Sequence, residues 1–170
     1  VLSGGVLAGF GVVSSRLYGT PGSTVRAEGG ELCVGDENIT GAVVLQGALE
    51  AGVDTVRLRS AGSVPISGPA SVDGGTIAAS NGIALGAGGS IVGHGLVNAK
   101  IAASQGSSIE AIGALTLGDA AAFDGFASDG ELRTNAGTIT LLDRDAAVLG
   151  SLTELGGVGD PGTLVADNGL

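Results

Sequence analysis

Apolar residues occur along this chain in short alternating runs closed by Gly, Asn, Asp or Ser. Ser90-Ile91-Val92, Leu115-Thr116-Leu117, Thr55-Val56-Arg57-Leu58 and Thr138-Ile139-Thr140-Leu141-Leu142 are examples. Alternation at period two over so few residues predicts short half-buried strands, and the punctuating residues predict turns. A helix needs a longer stretch at period 3.6, and glycine recurs too often to permit one. The brief alanine run at residues 120–122 is bracketed by Gly118 and Gly125. The expected fold class is all-β, built from many short strands.

The same pattern is written twice. Gly9-Phe10-Gly11-Val12-Val13 matches Gly93-His94-Gly95-Leu96-Val97, and Gly22-Ser23-Thr24-Val25 matches Gly106-Ser107-Ser108-Ile109. Glu31-Leu32-Cys33-Val34-Gly35-Asp36 falls on Ala114-Leu115-Thr116-Leu117-Gly118-Asp119. Both copies close on one phrase, Gly75-Thr76-Ile77-Ala78-Ala79-Ser80-Asn81-Gly82 and Gly162-Thr163-Leu164-Val165-Ala166-Asp167-Asn168-Gly169. The copies run over residues 1–83 and 84–170, and turn glycines match while charges drift. Strand-turn units recurring about every 17 to 21 residues predict four or five coils per copy, eight to ten in all, stacked so that each buries its neighbour's apolar face. At about 4.8 Å per coil that predicts a rod of roughly 40–50 Å. The expectation is one continuous parallel β-helix, or β-solenoid, with inward ladders of Val, Ile, Leu and Ala. A sandwich or small barrel would instead use Asp73-Gly74, Asn81-Gly82, Asp129-Gly130 and Asn168-Gly169 as hairpin turns.

Composition agrees with a narrow core. Glycine supplies 34 of 170 residues and aromatics only 2%, while apolar residues reach 44% and mean hydropathy is +0.47. That excludes a charge-swollen disordered chain, and four prolines without a glycine at every third position exclude collagen. One cysteine excludes a disulfide scaffold. A net charge of −10 and the near absence of stacking aromatics argue against a nucleic-acid partner. No apolar run is long enough for a transmembrane helix. Val1 opens the chain with no signal-peptide pattern, and the phase of the closing phrase predicts a further copy and a longer parent.

Gly5-Val6-Leu7-Ala8-Gly9-Phe10-Gly11-Val12, Gly89-Ser90-Ile91-Val92-Gly93-His94-Gly95-Leu96-Val97 and Gly74-Gly75-Thr76-Ile77 resemble the rung phrases of bacterial autotransporter passengers and autotransporter-associated β-strand repeats. The resemblance runs thinly over the whole chain and encodes rung geometry. It implies a right-handed parallel β-helix, secretion, an extracellular or cell-surface location, and a structural or adhesive role. It carries no catalytic residues.

Candidate chemistry is sparse. His94 is the single histidine and has no partners at ligand spacing. Cys33 lies between two apolar positions, so strand alternation turns it outward, as a neutral surface thiol or a contact to another chain. Asp36 and Asp119 follow a glycine in both copies and are the metal candidates, for Ca²⁺ held with turn carbonyls. Gly156-Gly157-Val158-Gly159-Asp160 is one letter short of a calcium-binding nonapeptide and is not repeated. Asp119, Asp124, Asp129, Asp143 and Asp145 form the densest acidic region, and Asp36, Glu37, Glu50 and Asp54 the next. Glycosidase chemistry needs two carboxyls about 5–9 Å apart in a groove, whereas carboxylates beside glycines suit turn capping. No catalytic residue or organic cofactor is expected.

The expected role is a structural module of a secreted or surface-anchored bacterial fibre, stalk or adhesin, stacking end to end through solenoid ends. The nearly uncharged stretches 1–15 and 60–99 offer lateral packing if they share a face; otherwise they are only buried coils and tight turns. The alternatives are a glycan- or host-surface-binding adhesin module using loops 119–130 and 156–161, and a β-helix carbohydrate-active enzyme.

Overall fold

A computed structural model describes residues 1–119, 125–144, 146–150, 152–155 and 161–169. Among them there is no helix, and hence none long and apolar enough to cross a membrane. The chain begins with β1 (Val6–Val13) and continues through β2 (Leu17–Gly19) and β3 (Thr24–Asp36). The next coil holds β4 (Val43–Leu45), β5 (Ala48–Glu50) and β6 (Thr55–Ser60), followed by β7 (Val64–Ile66) and β8 (Pro69–Ala79). The second half runs through β9 (Ile83–Leu85), β10 (Ser90–Asn98), β11 (Ile101–Ala103) and β12 (Ser108–Gly118). It then forms β13 (Phe126–Ser128), β14 (Glu131–Thr134) and β15 (Thr138–Leu142), and ends on β16 (Val148–Leu149), β17 (Leu152–Leu155) and β18 (Thr163–Ala166).

These strands stack as a parallel β-solenoid of about seven turns. A seven-stranded sheet, β2-β4-β7-β9-β11-β13-β16, faces an eleven-stranded sheet whose main path is β1-β3-β5-β8-β10-β12-β14-β17. Strand pairing among the described residues is parallel throughout, for example Leu17↔Val43 and Ile91↔Ile109. Hairpins are therefore absent there, and the sandwich alternative falls. Asn81-Gly82 and Asn168-Gly169 turn corners between coils instead. In each, the asparagine side chain donates to a carbonyl one coil back, Ser60 O at 2.6 Å for Asn81 and Asp143 O for Asn168.

The stack is shorter than the sequence spacing predicts. About seven turns form where the spacing predicts eight to ten coils, and the spacing is uneven: 26 residues separate Leu17 from Val43, and 25 separate Ile101 from Phe126. In the first copy the extra residues form the corner loop between β3 and β4, outside the ladder. Eight strands along the long sheet at about 4.8 Å span roughly 34 Å between the first and last.

Inward residues form columns. Val43, Val64, Ile83, Ile101 and Phe126 stack along the short sheet, and Val25, Leu49, Ala70, Ile91, Ile109 and Leu132 along the long one. All of these are at most 1% exposed. A fully buried Leu or Ile contributes about 1.5–3 kcal/mol through removal from water, and each also touches its like above and below. Coil spacing demands close backbone approach at the corners. A Cβ on Gly35 would lie 2.1 Å from the Arg59 carbonyl oxygen, and one on Gly118 would lie 2.0 Å from that of Leu142. Both glycines adopt positive φ, 99° and 107°, which explains why the same residue precedes the matched aspartates.

Candidate functional site

Asp36 and Asp119 occupy the same corner four coils apart, so roughly 19 Å of stack separates them. The structure does not bring them together. Asp36 accepts hydrogen bonds from the Asn38 backbone N–H at 2.9 Å and from Asn38 Nδ2 at 3.0 Å. The backbone donor, then the side-chain donor, pull its carboxyl below the ordinary value. This is an aspartate closing its own turn. Among the described residues no group of three or more His, Cys, Asp and Glu side chains is placed to hold a metal ion.

The acidic regions come apart in the same way. Asp119 and Asp143 sit at one corner on adjacent coils, where Asp143 is buried and its Oδ2 accepts the Phe126 N–H at 2.8 Å. Asp129 lies at the opposite end of β13, beside Gly150. Asp124, Asp145 and residues 156–160 lie outside the described residues. In the first copy Glu37 pairs with Arg59 at 3.1 Å and Glu50 with Arg26 at 3.7 Å, while Asp54 accepts the Gly29 N–H at 2.8 Å. Each of these carboxylates ties one coil to the next. A shallow pocket beside β11 and β13 is bordered by Gln105, Ser128, Asp129 and Val148, and Asp129 is its only carboxylate.

Three side chains do converge, and the sequence pattern alone does not show it. Glu31 and Cys33 project from the outer face of β3, and Arg57 projects beside them from β6, in register with Cys33. Arg57 Nε donates to Glu31 Oε1 at 2.7 Å and Nη2 to Oε2 at 3.3 Å, while Cys33 Sγ donates to Oε1 at 3.0 Å. The fork from Arg57, with the thiol second, lowers the Glu31 pKa to about 2. Partial burial, then the Glu31 carboxylate, pushes the Cys33 thiol up. The site therefore keeps Cys33 protonated and weakly nucleophilic. Period-two alternation places Glu31 and Cys33 on one face; only the coil register supplies Arg57.

His94 is exposed on the bend of β10, with Nε2 3.5 Å from Asp73 Oδ1. Phe10, its match in the first copy, is 73% exposed and lies over Gly29 and Gly30. The uncharged stretches 1–15 and 60–99 do not form one patch. On the long sheet β3, β5 and β6 lie between β1 and β8, and they carry the Arg26–Glu50 and Arg57–Glu31 pairs. No protein-family model matches the chain, and neither does any curated protein or solved structure.

Proposed function

We propose that this chain is a structural repeat module of a secreted or surface-anchored bacterial fibre, stalk or adhesin, extended end to end as a rod outside the cell. One observation carries the reading. The inner ladder continues into both terminal coils, where Leu2, Leu7 and Val13 at one end and Leu149, Leu164 and Ala166 at the other pack on the core yet stay only partly covered. Parallel strands at such an end present unpaired N–H and C=O groups together with apolar side chains, a template for further coils. The flanks carry ion pairs between neighbouring coils, which suit a solvated side. Negative-stain electron microscopy and sedimentation of the full chain across concentration test this. Rods longer than one molecule, growing with concentration, are expected. Dispersed single molecules at every concentration would overturn the reading.

A further inference from the structure

We propose that β1 of one molecule docks on the last coil of a second copy, lying parallel to β17 and β18 in the register that β10 already takes on β8. The inference rests on the end-to-end reading above and gives it a specific interface.

The junction between the two sequence copies is already built inside the chain, where β10 opens the second copy by stacking on β8, which closes the first. Inside each copy the columns follow the sequence match. Gly11, Leu32, Val56 and Ile77 pair in turn, and so do their counterparts Gly95, Leu115, Ile139 and Leu164. At the junction the first half of β10 keeps the column, Ile91 standing over Ala70, but past the bend at His94 the register slips by two residues, so that Val97 and not Gly95 stands over Ile77. A slip of two keeps every side chain on its own face. Carried to a second molecule, it sets Val13 over Leu164 and, on the outer face, Val12 beside Thr163, as Leu96 lies beside Thr76.

The glycines supply a second and independent observation. In β10 and the turn before it, a Cβ on Gly89 would lie 2.7 Å from the Ile66 carbonyl oxygen, one on Gly93 1.9 Å from that of Val72, and one on Gly95 2.6 Å from that of Gly75. A preceding coil presses on all three; Gly93 and Gly95 also adopt positive φ, so Gly89 is the one whose glycine the close approach alone explains. Their counterparts Gly5, Gly9 and Gly11 meet no such coil. Nothing lies within 4 Å of a Cβ on Gly9 or Gly11, and only the Leu2 side chain, at 3.2 Å, approaches one on Gly5. Positive φ accounts for Gly9 and Gly11, but Gly5 is not in that region. The side chains agree. Ile91 and Val97 are fully buried beneath the junction, while the matching Leu7 and Val13 are only half-covered. The β1 coil is shaped for a β8-like neighbour, and β18, which repeats the β8 phrase, is that neighbour on a second copy. The contact is head-to-tail, so it propagates.

Disulfide trapping of the full chain tests it, with Cys33→Ser throughout. Neighbouring strands about 4.8 Å apart fall within disulfide reach, and Val12 and Thr163 of one molecule stand at opposite ends of the stack, so any link joins two chains. Val12→Cys with Thr163→Cys is expected to oxidise to a ladder of dimers, trimers and longer species. Val12→Cys with Val165→Cys, the unslipped register, is expected to link poorly. Gly5→Ala is expected to melt as the parent does and to abolish the ladder. Equal linking through position 165, equal dimer from Val12→Cys alone, or an intact ladder with Gly5→Ala would each overturn the proposal. Rods without a link at 12 and 163 would overturn this interface and leave the rod reading standing; neither rods nor links would remove both.

Discussion

Replacing Phe126 by Ala empties the largest fully buried side chain among the described residues. Phe126 tops a column resting on Ile101 and Ile83, and the next inward position, Ala147, is small and only 3% exposed. The ladder thus accepts one aromatic by placing a small residue beside it. Phe-to-Ala changes in close-packed cores cost about 3–5 kcal/mol, because the lost transfer term is joined by a cavity that neighbours only partly fill. Here each strand is held by the coils on both sides, which limits collapse of the cavity. For a chain of this length that corresponds to a drop of roughly 6–20 °C in Tm. Urea unfolding followed by far-ultraviolet circular dichroism is the assay, since the chain has no Trp and one Tyr. Phe126→Leu should cost under about 1.5 kcal/mol, and Ala147→Leu placed on Phe126→Ala should recover part of the loss. A loss below about 1 kcal/mol for Phe126→Ala, with unchanged m, would refute the close-packed ladder at this position.

Two further outcomes follow from the corners and the outer face. Gly118→Ala drives a Cβ against the Leu142 carbonyl oxygen at positive φ and should cost at least about 3 kcal/mol. Gly4→Ala, at φ 61° with nothing within 4 Å, should cost only about 1–2 kcal/mol; similar losses in thermal melts would refute the close-approach argument. At pH 8, Glu31→Gln should speed alkylation of Cys33 several-fold, because it removes the carboxylate that raises the thiol while Arg57 remains. Unchanged iodoacetamide kinetics would refute that electrostatic account.

Strand class, strand positions and the inner set were legible because period-two alternation and glycine punctuation are local properties. Leu32, Val34, Val56 and Leu58 alternate with polar partners and point inward. The coil count was less legible, since sequence spacing alone does not separate ladder residues from those in a corner loop such as the one after β3. The partners of the acidic residues were not legible for a related reason. Neighbours in sequence such as Asp36, Glu37, Glu50 and Asp54 are divided among corners and faces, where each meets a different partner.

By itself the sequence determined an all-β, twice-repeated chain with a narrow aliphatic core, because turn chemistry and side-chain alternation act within a few residues. The tertiary structure decided everything that depends on how one coil sits on the next. It joined Arg57 to Glu31 and Cys33, separated Asp36 from Asp119, and set the second half of β10 on β8 two residues out of the register used within each copy. Register is a contact between residues some twenty positions apart, set by how many residues each bend consumes and where a carbonyl presses on a glycine. No local pattern records that distance, so it emerges only when the coils are stacked.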